Sequence, residues 1–287
     1  MIYLFYRILN KLGLQKLVNF TYIKYINGVR FKFPIIYSIG SEHYYISESW
    51  MIHTIKILYG INSGVFFDIG VNTGQTLIKL KSVAPAAEYI GFEPNPKCIF
   101  YVEELIAKNR FMNCTLYPVG IMTSDELLHL NFYSFYSTDS SASLIPDFRP
   151  ERKVIFKKAV PVFDFASLNL STGPISIIKI DVEGAESFVL CSLLERIKLD
   201  RPFILIEILP CYSNENQMRI QRQNKIEAML KEINYTMFRN KKDLNTLQIE
   251  RIQTIGIHSN MDFCEYLLCP NELTSRIESY TTSRIKE

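Results

Sequence analysis

The chain reads as an α/β protein, a mostly parallel sheet covered by helices on both faces, and two observations predict it. From about residue 60 onward, short apolar runs alternate with helical stretches. That rhythm implies parallel strands joined by right-handed crossovers. Several of the runs, "VFF", "ISIIKI" and "FILIEI", are continuously apolar rather than alternating, as befits strands buried on both faces. The 287 residues suffice for one decorated domain, with 48% hydrophobic and 21% charged content in the ordinary globular range. Residues 1–60 read as a basic extension and residues 61–287 as the main domain.

The extension starts with "MIYLFYRILNKLGLQKLV", where Ile2, Phe5, Leu9 and Leu12 recur at helical spacing. Its longest apolar run, Ile2 to Tyr6, is too short for a membrane span or a signal-peptide core. Two readings stay open: a helix packed on the body, or a basic helix over residues 1–20 resting on an anionic membrane surface. Arg7, Lys11, Lys16, Lys24, Arg30 and Lys32 precede the first acid, Glu42, which leaves 26 basic against 29 acidic residues in the rest. The net charge of +3 thus hides a basic segment on a slightly acidic body. No basic and aromatic module recurs, so no nucleic-acid partner is expected.

Next come "YIKYINGVRFKF", a hairpin turning at Asn27-Gly28, and "SESWMIHTIKILYG", a helix capped near Ser47 and stopped near Gly60. Strands are expected at 65–70, 87–93, 114–121, 175–181, 203–209 and 263–270, the last ended by Pro270. Helices are expected from Pro96 to Asn109, Ala185 to Ile197 and Arg219 to Ile233. Between 127 and 163, "LLHLNFYSFY" and "KKAVPVF" read as extra strands around a polar loop, an insertion of the kind that often carries function. The six cysteines form no CxxC pair and read as reduced thiols of a cytoplasmic protein. His53, His129 and His258 have no partners at metal-ligand spacing, and no metal is assigned.

"FFDIGVNTGQT" places Gly70 and Gly74 at the first strand-to-helix turn, with Asn72 where a dinucleotide fingerprint has a glycine. That departure weakens a pyrophosphate reading and favours a ligand with an amino-acid moiety, whose ammonium group or ordered water would suit Asp68. Some 25 residues on, "GFEPNP" puts Glu93 at the tip of the second strand, where a carboxylate can accept both hydroxyls of a ribose.

The blocks "DIGVNTGQT", "FEPNP", "SSASL", "IKIDVEGAE" and "ILIE", in this order, resemble the FkbM family of S-adenosylmethionine-dependent methyltransferases over about residues 60–270. The resemblance implies a class I methyltransferase fold, Rossmann-like, with a seven-stranded sheet containing one antiparallel strand, and usually O-methylation. It further implies that Asp68, Gly70, Asn72 and Gly74 hold the methionine part of the cofactor, with Thr76 at the helix N-terminus. Glu93 would bind the ribose, Asn95 would lie beside the adenosine, and Gly120 of "YPVGI" would pass near the adenine. Ser140 and Ser141 would fall close to the reactive face. "DIGVNTG" departs from the family's commoner "DIGANIG", and the basic N-terminus lies outside the shared core.

Asp181 ends the fourth strand, at the sheet edge where ligands bind, and can accept or fix a hydroxyl proton. Glu183 is the alternative base, and Glu207, an acid in an apolar strand, is expected to face the same cleft because burial without a partner is costly. Glu186 reads as a first-turn acid serving its own helix. Asp181, Glu183 and Glu207 could instead bind Mg²⁺ or Ca²⁺. The expected activity is O-methylation of a small-molecule or glycan acceptor. An NAD-dependent oxidoreductase and a non-catalytic cofactor-binding protein are the alternatives.

Overall fold

The computed structural model describes residues 18–45, 48–136, 138–242 and 248–282. The expected N-terminal helix and the cap at Ser47 lie outside the described residues. The described chain opens with a hairpin, β1 (Phe20–Ile26) and β2 (Val29–Ile35), paired antiparallel. Asn27 and Gly28 at its turn have φ of 50° and 76°, the two left-handed conformations that a tight two-residue hairpin requires. Helix α1 (Ser49–Ile61) follows.

The main domain then supplies β3 (Val65–Ile69), α2 (Gln75–Val83), β4 (Tyr89–Phe92), α3 (Pro96–Asn109) and β5 (Cys114–Tyr117). After these come β6 (Gly120–Ile121), β7 (Glu126–Phe132), β8 (Phe156–Phe163), β9 (Ile175–Ile180), α4 (Glu186–Ser192) and α5 (Leu194–Asp200). The last elements are β10 (Phe203–Glu207), α6 (Gln217–Glu232), β11 (Tyr235–Lys241), β12 (Gln248–Ile252), β13 (Glu265–Pro270) and α7 (Thr274–Thr282).

The large sheet has the order β12-β11-β13-β10-β9-β3-β4-β5. The four pairings from β10 through to β5 are parallel, whereas β13 runs antiparallel to both β10 and β11. The sheet is therefore eight-stranded, not seven: β12 pairs antiparallel with β11 and adds an outer strand. The expected strand over 114–121 divides in two, because Pro118 carries no N–H for a ladder. Its second part, β6, joins β8 and β7 in a separate three-stranded sheet, order β6-β8-β7, which the insertion forms over the carboxyl edge of the main sheet. The helix expected from Ala185 to Ile197 breaks at Leu193 into α4 and α5.

Strand residues alternate between two cores. Phe66, Ile177, Leu205 and Leu267 pack with Trp50, Ile55 and Leu58 of α1 and with Phe31 and Phe33 of the hairpin. Phe67, Ile178, Ile204 and Leu268 pack with Val189 of α4 and Ile226 of α6. The hairpin and α1 thus share one core with the sheet. Continuing the first alternation toward the sheet's carboxyl edge brings Asp68, Lys179, Glu207 and Glu265 onto the face of Phe66 and Ile177. Asp68 is in register with Lys179, and Glu207 with Glu265. At this edge the packed face changes from apolar to charged.

Candidate active site

A cavity of about 250 Å³ opens at the carboxyl ends of β3, β4, β9 and β10. Among the described residues its wall carries five carboxyl groups, Glu93, Asp139, Asp181, Glu183 and Glu207, and no lysine, arginine or histidine. Phe92, Pro94, Ile121, Leu130 and Leu144 add an apolar stretch beside them.

The turn after β3 is held from both sides. Gly70 has φ of 91°, and a Cβ there would stand 1.9 Å from the Asp181 carbonyl oxygen, so the ends of β3 and β9 can approach only with glycine at this position. The Asp181 N–H donates to the Ile69 carbonyl at 3.0 Å, and the Gly70 N–H to the Phe92 carbonyl at 2.9 Å. Asn72 is itself left-handed, with φ of 48°. Glu93, at the end of β4, accepts the Asn72 N–H on Oε2 and the Asn95 N–H on Oε1, both at 2.8 Å. One carboxyl group thereby ties the glycine turn to the N-terminus of α3, where the Asn95 side chain caps the Lys97 N–H. Burial raises the Glu93 pKa to about 7, against the two N–H donors.

Gly70, Asn72, Thr76, Glu93, Asn95, Gly120 and Ser140 all line the cavity, as do Asp181, Glu183 and Glu207. Asp68, Gly74 and Ser141 do not. Asp68 is fully buried behind the wall, where its Oδ2 accepts the Tyr89 hydroxyl at 2.7 Å and burial raises its pKa to about 7. Gly74, with φ of 81°, faces α3, where a Cβ would stand 3.1 Å from Leu105 and 3.3 Å from Val102. Ser141 turns away: its hydroxyl donates to Asp139 Oδ1 at 2.6 Å and accepts from Arg152 at 3.0 Å. Asp139 also receives the Tyr133 and Ser134 N–H groups, which closes the loop beneath Ser140.

The three acids of the "DVEG" and "ILIE" blocks differ in state. Asp181 is 42% exposed at its side chain, and Lys179, only 2% exposed, lies beneath it with Nζ 3.3 Å from Oδ2. Burial opposes ionisation of Asp181, but Lys179 and a hydrogen bond from Glu207 outweigh it and hold the carboxyl below its ordinary range. Glu207 goes the other way: burial, then the charges of Asp181 and Glu265, push it well above the carboxylate range. Of the pair, Asp181 is thus favoured as the carboxylate and Glu207 in its protonated form. Glu183, with φ of 50°, is ion-paired to Arg149 at 2.6 Å, and burial raises its pKa to about 7. Glu186 accepts the Gly184 N–H at 2.8 Å in the first turn of α4, the expected local role. Among the described residues no group of three or more His, Cys, Asp or Glu is placed to hold a metal ion. For Glu183, the Arg149 ion pair takes up one carboxylate oxygen.

Sequence reasoning passed over the charges under the wall and the fourth histidine. Lys179 stands inside the quoted motif and reads as a strand residue until its register against Asp68 is known. His43, in a short 3₁₀ turn at Ser41–Tyr44, is buried, and its Nε2 lies 3.0 Å from the carbonyl oxygen of Thr73 in the glycine turn. Burial lowers its pKa to about 4, so the ring is neutral and donates from Nε2. Glu48, just before α1, pairs with buried Lys79 of α2. The extension therefore braces the cavity's first turn.

No curated protein matches the chain. Among solved structures it is similar to a methyltransferase FkbM from Methylobacillus flagellatus KT, at 13% identity and TM-score 0.45. That alignment covers 72% of this chain and 43% of that protein, so the chain spans less than half of that relative's length. It is also similar to cofactor-bound Rv0187 from MTB, at 10% identity and TM-score 0.45, covering 79% and 81% of the two chains. A third is the SAH-bound Podospora anserina methyltransferase PaMTH1, at 11% identity and TM-score 0.44, covering 78% and 76%. The model of the methyltransferase FkbM domain matches residues 68–263, which reach from the acid behind the glycine turn to the residues before β13 and include all five wall carboxyls; the chain belongs to the FkbM methyltransferase domain family.

Proposed function

We propose that the protein is an S-adenosylmethionine-dependent O-methyltransferase whose acceptor is a hydroxyl of a saccharide or glycan precursor. The single observation that carries the cofactor reading is the wall of five carboxyls, in which the described residues include no lysine, arginine or histidine. The Asp181 carboxylate, held in its ionised form, favours a sulfonium or an ammonium group there over a pyrophosphate. That sets aside an NAD-dependent oxidoreductase. The residues present fit the cofactor: Glu93 offers carboxylate oxygens to a diol, Asn72 and Thr76 flank the turn, and Phe92, Pro94, Ile121 and Leu144 suit a purine.

The bound cofactor supplies an electrophilic methyl group. The chain's part is to hold a hydroxyl in line and to receive its proton. Asp181 fits that role, because it is ionised, faces the cavity and is fixed by Lys179 and Glu207. Glu207 keeps its proton and donates to Asp181, which orients the carboxylate. Glu183 is occupied by Arg149 and serves the loop more than the proton. A positioned base of this kind accounts for about 10²–10⁴-fold in rate.

The acceptor reading is supported by the exposed aromatic residues Phe135 (83% exposed) and Tyr136, close in sequence to the cavity-lining Asp139 and Ser140. Such faces stack on sugar rings. The test is mass spectrometry of candidate glycans incubated with enzyme and methyl-labelled cofactor. A gain of one labelled methyl per glycan supports the proposal, and labelling of nitrogen or carbon instead rejects O-methylation. A lipid-linked acceptor reached through the basic segment at residues 1–20 is part of the same proposal. Unchanged liposome association and full activity after removing those residues would reject that part.

A further inference from the structure

Beside the "DVEG" loop, three guanidinium groups converge on one aromatic ring. Arg149, Arg219 and Arg222 stand 5.6, 5.1 and 5.3 Å from the centroid of Phe148. Phe148 in turn packs on Gly184, where a Cβ would come within 2.5 Å of the ring. Two of the three arginines are already committed. Arg149 pairs with Glu183, and Arg219 donates to the carbonyls of Pro210 at 2.6 Å and Phe148 at 3.4 Å. Arg222, one turn along α6 from Arg219, has no hydrogen-bond partner among the described residues. Burial and the neighbouring charge of Arg219 both weigh against its protonated form, and Glu186 opposes them only in part.

Gln223 adds a second, independent observation. It is 5% exposed, and its Nε2 has no hydrogen-bond partner among the described residues. An unpaired buried amide costs on the order of 1–3 kcal/mol, so a donor left so invites an acceptor from outside. Phe148, Glu186, Arg219, Arg222 and Gln223 line one small cleft, together with Ile208 and Leu209 that directly follow Glu207. The enclosed space, about 10 Å³, admits one oxygen-sized group and leaves the rest of a ligand at the mouth.

We propose that this cleft is a phosphoryl subsite, in which Arg222 and the Gln223 amide bind a phosphate carried by the methyl acceptor. A phosphate suits it better than a carboxylate. Two guanidinium charges meet one carboxyl, Glu186, and a doubly charged tetrahedral group can use a fork, a lone amide donor and the mouth at once. The cleft adjoins the cavity through the "DVEG" loop: Phe148, on the cleft wall, packs against Gly184, which stands between the cavity-lining Glu183 and Ala185. The proposal rests on the methyltransferase reading for its purpose but not for its test.

The probe is inorganic phosphate, titrated into the full chain and followed by ³¹P line broadening, with acetate as the comparison. The wild type is expected to saturate in the millimolar range and to bind acetate at least several-fold more weakly. Arg222→Gln should weaken phosphate about tenfold or more, and Gln223→Leu several-fold while leaving the unfolding temperature unchanged or higher, since it removes an unpaired buried amide. S-adenosylhomocysteine affinity, measured on the same samples, should not move in either variant, which also shows them folded. Absence of saturable phosphate binding by the wild type, or equal binding by wild type and Arg222→Gln, overturns the subsite. Tighter acetate than phosphate binding overturns the assignment to phosphate. Failure of every glycan to accept a methyl group would count against the methyltransferase reading alone.

Discussion

Lys179 Nζ lies 3.3 Å from Asp181 Oδ2, a buried cation directly under the exposed acid of the cavity wall. Asp68, Glu207 and Glu265 act on the same lysine, and Lys242, 3.6 Å from Glu265, adds a second positive charge to this acid cluster. This relationship decides which acid of the site is charged. Lys179 favours the ionised form of Asp181, whereas burial and the neighbouring acids favour the protonated form of Glu207.

Two consequences concern rate. Asp181→Asn should lower kcat by about 10²–10⁴-fold while leaving S-adenosylhomocysteine affinity within a few-fold, because the amide cannot take the hydroxyl proton. Lys179→Met removes the charge that depresses the Asp181 pKa. The carboxyl then protonates at higher pH, and the acidic limb of the kcat/KM profile moves upward. A limb that stays in place, in a variant that still binds the product cofactor, would show that Asp181 is not the titrating base.

Glu93 joins two loops through one carboxyl group, and its replacement tests that directly. Glu93→Gln offers one acceptor where two N–H groups need two, and its NH₂ must face the other N–H. Hydrogen bonds of a charged group contribute about 1.5–3 kcal/mol. Cofactor affinity should fall by about tenfold or more in a calorimetric titration. An unchanged affinity would remove Glu93 from the cofactor's contacts.

The brace between His43 and Thr73 predicts that the extension governs the same affinity. His43→Leu deletes the donor to the Thr73 carbonyl, and the product cofactor should bind several-fold more weakly. His43→Gln carries an amide nitrogen close to the place of Nε2 and should recover most of the loss. Equal affinities for the Leu and Gln variants would reduce His43 to a space-filling role.

Stability should depend on pH in a direction set by the buried acids. Asp68, Glu93 and Glu183 have pKa values raised to about 7 in the fold, so the native state binds their protons more tightly than the unfolded chain. Their stabilisation is complete below about pH 4 and is lost as pH rises toward 7. Asp181 and Asp139, both depressed, act oppositely at more acid pH, where their stabilisation disappears. The urea midpoint of the free protein should therefore be higher near pH 5.5 than near pH 8. Glu93→Gln should flatten that slope, and a midpoint rising from pH 5.5 to 8 would contradict it.

Much of this architecture was legible in the chain because its signals are local. Continuous apolar runs marked β3, β9 and β10, Asn27-Gly28 marked the hairpin, and "DIGVNTG" with "FEPNP" marked the turn and the acid that now close one cavity wall. Strands β11 and β12 were not legible. "YTMFRNK" alternates poorly, and β12 is a mostly exposed outer strand, with little apolar pattern to betray it. The inward turn of Asp68 and the outward turn of Ser141 depend on side-chain partners, Tyr89 and Asp139, that are distant or local only in the fold. His43 and Lys179 gained meaning solely from what they meet across the structure.

The central claim is that the acid-walled cavity binds S-adenosylmethionine rather than a dinucleotide. Calorimetric titration of the full chain with S-adenosylhomocysteine and with NAD tests it most directly. Saturable one-site binding of S-adenosylhomocysteine, weakened by Glu93→Gln, with no heat from NAD, is the predicted result. Saturable binding of NAD with none of S-adenosylhomocysteine would contradict it.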